Sequence, residues 1–358
     1  MKIEKPVNKI FPICYYIGLI IMTLGALQLI PAVISAVYSE WRIFAIFVFT
    51  ASVTLISGCL MVTFGHRYKS TKLSFGEGTV VASGAWLLGT LFCALPYYLS
   101  GNYLSYLDCC FDVMSGLTTT GLCLIQDMDH LSNGINMWRH LLTFVGGQGM
   151  VVLTLTFLTG NESGAYKMYV GEGKDEKLFP NAVSTSRKIW AISLMYLVIG
   201  TLVMAASILS AGLAPGKALL HGMWVYMSAW STGGFAPMSQ NILYYHSSMV
   251  EFATTVFAII GSFNFALHYA VLTGKRGELR RNIETVTFTI SLTVIMLITT
   301  AGLMRNNVYP NAMAILRKGV YQLISGHTTT GFMTIYAKQF YHEWGDIALF
   351  AMTVALIL

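Results

Sequence analysis

Charge is what this chain has least of: Asp, Glu, Lys and Arg make up 11% of its 358 residues, where soluble domains carry about 25%. That scarcity excludes the mixed charged surface of a water-soluble fold. Cysteine is sparse as well, and the six residues Cys14, Cys59, Cys93, Cys109, Cys110 and Cys123 show neither zinc-ligand nor redox spacing. Cys14, Cys59 and Cys93 read as small core residues within apolar runs, while a bridge within the trio 109, 110 and 123 stays open. Catalytic motifs are also missing. No Gly-x-Ser-x-Gly elbow occurs, and His342-Glu343 is followed by Asp346 where a zinc-binding helix needs histidine. The chain is therefore read as not an enzyme, with no covalent cofactor.

What it has instead is apolar length. Hydrophobic residues make up 55% of the chain, and the mean hydropathy is +0.62. Runs at 11–38, 43–64, 78–99, 141–158, 189–213, 249–272 and 285–304 each meet the length of about 17–25 residues that a spanning helix needs. The first follows Lys2, Lys5 and Lys9 like a secretory signal, but a signal's apolar core is only about 7–15 residues. It is read as a retained transmembrane helix. If the N-terminus is cytoplasmic, 15 of the 22 Lys and Arg residues fall on the inner side, among them Lys275, Arg276, Arg280 and Arg281. The positive-inside rule favours that orientation, so the net charge of +6 needs no nucleic-acid partner.

Three apolar segments, 104–117, 218–230 and 316–327, are too short to span, and each leads into the same short sentence. The copies are Ser-Gly-Leu-Thr-Thr-Thr-Gly-Leu at 115–122, Ser-Ala-Trp-Ser-Thr-Gly-Gly-Phe at 228–235 and Ser-Gly-His-Thr-Thr-Thr-Gly-Phe at 325–332, spaced 113 and 97 residues apart. One unit of roughly 100 residues is thus repeated. A half-helix entering the membrane points the negative end of its dipole inward, where cations gather. The extended stretch after it has carbonyls that need an ion or a water-filled path. The filter residues read from this pattern are Thr118, Thr119, Thr120 and Gly121; Ser231, Thr232, Gly233 and Gly234; and Thr328, Thr329, Thr330 and Gly331. The glycines let successive carbonyls turn toward one axis. Hydroxyls at Thr118 and Thr328 are expected to add oxygen ligands. Asp108, Asp112, Asp127 and Asp129 each read first as a cap or a solvated side chain, and together as an outer field that concentrates cations.

The expected fold is an all-α polytopic membrane protein: tandem helix, pore half-helix, helix repeats around one pore, preceded by a helix pair. The boundaries read as a pair at 1–73, repeat 1 at 74–160, a cytoplasmic connection at 161–184, repeat 2 at 185–283 and repeat 3 at 284–358. Ser74 and Glu77 have capping-box spacing at the head of repeat 1. The last apolar run, 347–358, is about 18 Å long as a helix against a core of about 30 Å. The sequence is therefore expected to be a fragment, with three of four units present. Gly146, Gly147, Gly149 and the 261–264 segment are read as places of close helix approach or kinking. Asn264 and His268 lie one turn apart, and His327 is read as an anchor of the third half-helix.

Taken together, the signatures, Trp138-Arg139 through Gly146-Gly-Gln-Gly-Met150 and Asn264 to Tyr269 with its basic tail resemble the Trk/Ktr/HKT superfamily of potassium transporters, the bacterial Trk membrane subunits most of all. The resemblance implies four units, pseudo-fourfold about one pore, with Gly121, Gly234 and Gly331 as filter glycines. A glycine at 121 implies potassium preference over sodium, with the ion held by the backbone of 119–121, 232–234 and 329–331. It further implies a plasma-membrane uptake system, a homodimer and a cytoplasmic nucleotide-binding regulatory subunit, with lipid headgroups as rival partners for the basic inner loops. The alternatives are a secondary transporter that couples Na+ or H+ to another solute and an intramembrane enzyme.

Overall fold

A computed structural model describes residues 10–68, 73–157, 170 and 182–357. Every regular element among the described residues is helical. The connection expected at 161–184 lies almost entirely outside them.

Helices α1 (Ile10–Leu27), α2 (Leu29–Val37) and α3 (Trp41–Gly65) form the leading hairpin. The first apolar run is thus one candidate span, Ile10–Val37, made of two helices that meet at Gln28. Gln28 sits at the joint, fully buried, and its amide donates to Thr54 Oγ1 at 3.3 Å. α1 and α3 pack through glycines: a methyl at Gly18 would lie 2.8 Å from the Gly58 carbonyl oxygen, and one at Gly65 2.5 Å from that of Phe11. Small residues allow such backbone approach between membrane helices.

Each later unit begins with a long outer helix: α4 (Phe75–Ser100), then α8 (Ala182–Ser210) and α13 (Ile283–Arg305). The capping box at the head of α4 forms as expected. Ser74 N–H donates to Glu77 Oε2 at 2.7 Å, and Glu77 N–H donates to Ser74 Oγ at 3.3 Å. The inner helices depart from the continuous spans expected at 141–158 and 249–272. The first is split into α6 (Asn133–Gln148) and α7 (Met150–Phe157) at Gly149, whose φ is +99°. The second is α10 (Ser248–Ser262) and α11 (Phe265–Leu272), bent by 102°. A short helix α12 (Glu278–Arg281) leads to α13, and the third unit closes with α16 (Ala337–Glu343) and α17 (Gly345–Ile357). Among the described residues five helices are long and apolar enough to cross a membrane, or six if the bent pair is one span. The hairpin is tied to the first unit by Glu40, whose carboxylate accepts from Asn133 N–H at 2.7 Å and Gly134 N–H at 3.0 Å. Those are orphan donors at the start of α6.

Candidate ion-coordinating site

The short apolar segments fold as half-helices: α5 (Tyr106–Leu117), α9 (Pro215–Trp230) and, in the third unit, α14 (Ala312–Ala314) running through π-helical Ile315–Val320 into α15 (Tyr321–His327). Local start signals explain where they begin. Ser105 and Asp108 make a capping box, Pro215 occupies the first turn of α9, and Asn311 Oδ1 accepts from Ala314 N–H at 2.8 Å. Asp108 is therefore spent on a helix start.

All three half-helices end in the same hydrogen-bond register. Thr120 N–H donates to Ser115 O at 2.8 Å and Thr119 N–H to Gly116 O at 3.0 Å; Gly233 to Ser228 at 2.9 Å and Thr232 to Ala229 at 3.2 Å; Thr330 to Ser325 and Thr329 to Gly326, both at 2.9 Å. This is the Schellman closure of a helix, which asks for a left-handed residue and normally receives glycine. Here it receives threonine three times: φ is +56° at Thr119, +52° at Thr232 and +56° at Thr329. A β-branched residue in that region costs about 1–2 kcal/mol, and such strain collects at functional positions. Two residues on, Gly121, Gly234 and Gly331 take φ of +79°, +69° and +81°.

Successive signatures touch through these glycines. A methyl at Gly121 would lie 2.3 Å from the Gly233 carbonyl oxygen, and one at Gly234 2.1 Å from that of Thr330. At Gly331 the same position meets no atom within 4 Å. The three segments thus stand side by side, Gly121 and Gly234 each resting on the next segment's backbone, with the second segment in the middle. Gly233 and Gly234 are buried, whereas Thr118 and Thr120 on one flank and Thr329 and Gly331 on the other are exposed.

The hydroxyls expected to add oxygen ligands also brace the helix ends, each spending its proton and keeping an oxygen lone pair. Thr118 Oγ1 donates to Met114 O at 2.7 Å and Thr328 Oγ1 to Ile324 O at 2.8 Å, while each pairs with the hydroxyl two residues on, Thr120 or Thr330, at 2.8 Å. Ser231 Oγ donates to Ser228 O at 3.3 Å. An alcohol has one proton, and here it braces the helix end.

The inner helices press on these ends through glycine. A methyl at Gly146 would lie 1.9 Å from Leu117 O and one at Gly261 2.2 Å from Trp230 O, the same position in two units. Gly147 faces Ser231 Cβ at 2.8 Å. Close approach and kinking are both realised, the kinks falling at Gly149 and within the 261–264 segment.

The remaining aspartates are all hydrogen-bonded. Asp112 is buried and accepts from Tyr103 Oη–H and, at 2.9 Å, from Leu124 N–H. Asp127 pairs with His130 at 2.9 Å. Asp129, on the connecting loop, accepts from Ser239 N–H at 2.8 Å and Ser239 Oγ–H at 2.6 Å, which holds its carboxyl below the usual carboxylate range. Sequence reasoning missed Ser239, Asn241 and the buried Arg139. Asn241 Nδ2 donates to Gly234 O at 3.4 Å while its Oδ1 accepts from Met333 N–H at 3.2 Å, which ties the second leg to the third. Arg139 donates to Ala236 O at 3.3 Å and lies 4.8 Å from the Phe235 ring centre. No spacing along the chain reports these cross-unit contacts.

A pocket of about 520 Å³ opens beside the second and third signatures, lined among others by Thr232, Phe263, Glu284, His327 and Thr329. Asn264 caps α11, accepting from Leu267 N–H at 2.8 Å, and donates to Glu284 at 2.7 Å. His268 is buried against Trp230 and Tyr196. His327 bridges Ser291 Oγ at 2.9 Å and Ala355 O at 3.0 Å, as an anchor would. The six cysteines are free thiols, and no cluster of metal-ligating side chains occurs among the described residues.

The family model for TrkH, described as a cation transport protein, matches residues 42–356. The Trk system potassium uptake protein TrkH of Halomonas elongata is 30% identical over 324 residues, 88% of this chain and 64% of that protein. An uncharacterized cation transporter of Methanocaldococcus jannaschii is 29% identical over 327 residues, 90% of this chain and 63% of the relative. The crystal structure of the potassium transporter TrkH from Vibrio parahaemolyticus matches with a TM-score of 0.78 at 25% identity, covering 97% of this chain and 69% of that one. The chain thus spans 63–65% of the length of the curated TrkH proteins and the Methanocaldococcus relative.

Proposed function

Because this chain belongs to the TrkH family of cation transport proteins, we propose that it takes potassium up across the plasma membrane of a bacterial or archaeal cell. The ion passes through a filter of backbone carbonyls from Thr119, Thr120 and Gly121, Thr232, Gly233 and Gly234, and Thr329, Thr330 and Gly331. The observation that carries this reading is the threefold recurrence of a strained left-handed threonine two residues before a left-handed glycine, each at the C-terminal end of a half-helix. Three copies of an unfavourable backbone at helix ends of one dipole sign suit a cation stripped of water. Neutral carbonyls can replace a weakly hydrated ion's shell without trapping it.

The proposed orientation puts the N-terminus in the cytoplasm, with Lys275, Arg276, Arg280 and Arg281 on the inner face. There they meet a nucleotide-binding regulatory subunit or anionic headgroups, and two protomers pair, each with its own pore. Flow follows the electrochemical gradient, with or without Na+ or H+ coupling.

The test is potassium-dependent growth and rubidium-tracer uptake, with sodium competition, in a host lacking its own potassium uptake. Gly121→Ser and Gly234→Ser are expected to lose uptake or discrimination against sodium. Wild-type values for both properties in both variants overturn the filter assignment.

A further inference from the structure

Resting on that filter reading, we propose that the extended leg after the first and third signatures is held at one fixed backbone position from the half-helix before it, and that Asp112 and Gln322 are positioning residues that set the filter's selectivity. Asp112 stands three residues before the signature serine Ser115 and accepts from the N–H of Leu124, three residues beyond Gly121, at 2.9 Å. Gln322 stands three residues before Ser325, and its Oε1 accepts from the N–H of Thr334, three residues beyond Gly331, also at 2.9 Å. The two bonds join the same pair of positions, twelve residues apart, in two units. Both acceptors are buried, at 1% and 4% exposure.

The second unit carries the inference furthest. Its residues at these positions are Val225 and Pro237. Valine offers no acceptor, and proline has no N–H to satisfy. The acceptor is present where the leg has a donor and absent where it has none, so side chain and backbone match in all three units. That match is what a buried donor demands, because leaving it unpaired costs more than removing both partners. The second leg is fixed by other means: the proline ring restricts φ, and Arg139 of the first unit donates to Ala236 O at 3.3 Å.

A bond at this place controls more than stability. Only two residues separate the held N–H from the glycine whose neighbours coordinate the ion, so a released leg lets the carbonyls relax and the opening adapt to a smaller cation. The first clamp is reinforced by Tyr103, whose hydroxyl donates to the other oxygen of Asp112. The third is supplemented by Thr334 Oγ1, 3.4 Å from Gln322 Oε1.

The experiment transplants the second unit's solution into the third and is read by rubidium-tracer uptake with sodium competition in the full-length protein. Gln322→Val leaves the Thr334 N–H buried and unpaired; the potassium-to-sodium preference is expected to fall about tenfold. Gln322→Glu, which keeps the acceptor, and Gln322→Val with Thr334→Pro, which removes the donor, are each expected to hold the preference within about threefold of wild type. Asp112→Asn against Asp112→Val repeats the contrast in the first unit. If Gln322→Val does not accumulate in the membrane, recovery of both protein and preference in the double variant supports the match. Wild-type preference in Gln322→Val, or failure of the double variant to improve on it, overturns the clamp. Gly234→Ser, measured alongside, separates the two claims: loss of discrimination there with none in the clamp variants overturns the clamp alone, and loss in none overturns both.

Discussion

The half-helix ends and the inner helices that follow them behave in opposite ways. The ends repeat atom for atom in hydrogen-bond register, although their sequences differ at several positions. The inner helices share one contact, a glycine against the last helical carbonyl, and then part: one breaks at Gly149, the other bends by 102° ahead of Asn264. A Schellman closure on a β-branched residue has few backbone solutions, whereas a helix that supports it needs only to touch it once. The repeat is therefore strict at the signature and loose behind it.

That contrast can be broken first at its shared contact. Gly146→Ala puts a methyl 1.9 Å from Leu117 O, with backbone on both sides, and is expected to cost at least about 1–3 kcal/mol, seen as a lower unfolding temperature in detergent. Gly234→Ala also meets a carbonyl, at 2.1 Å, but is expected to lose ion discrimination in uptake assays before it loses folded protein. Next in size, Thr232→Gly relieves the left-handed threonine and is expected to stabilise by about 1 kcal/mol. Its discrimination against sodium is expected to drop, because glycine frees the closure that threonine restricts. Unchanged discrimination would show that the strain is idle. Asn264→Ala removes the cap of α11 and its bond to Glu284, with an expected cost of about 1 kcal/mol in thermal unfolding and no change in discrimination.

The smallest effect is acid-dependent. Asp129 ionises below its ordinary value because Ser239 donates to its carboxylate twice. A carboxyl depressed on folding contributes stability above its unfolded value, about pH 4, and loses it as pH falls through the folded value. Ser239→Ala is therefore expected to unfold at a slightly lower temperature than wild type at pH 6, the gap closing toward pH 3.

Much of this was legible along the chain. Ser74 and Glu77 announced α4, and the three non-spanning apolar segments became half-helices because their length forbids crossing. The glycines at 121, 234 and 331 took the left-handed backbone that their position after a helix end implies. What was not legible depends on partners distant in sequence. Thr118 and Thr328 read as oxygen ligands, a reading that carries no sign that each proton goes to a carbonyl one turn back in its own helix. The run at 249–272 reads as one span with a candidate kink at 261–264, where the bend does fall, but hydropathy hides that the Asn264 side chain both starts one helix and grips another. Asp112 read as part of an outer field until its burial against Tyr103 and Leu124 was seen.

The way Gly121 and Gly234 each rest on the next segment also bears on how such a chain can vary over time. Volume added at Gly121 cannot be absorbed by its own unit, since the obstacle is the carbonyl of Gly233; at Gly234 it is that of Thr330. A larger residue at either place therefore needs a compensating change in the adjacent unit, so that a substitution is felt one unit away from where it is made.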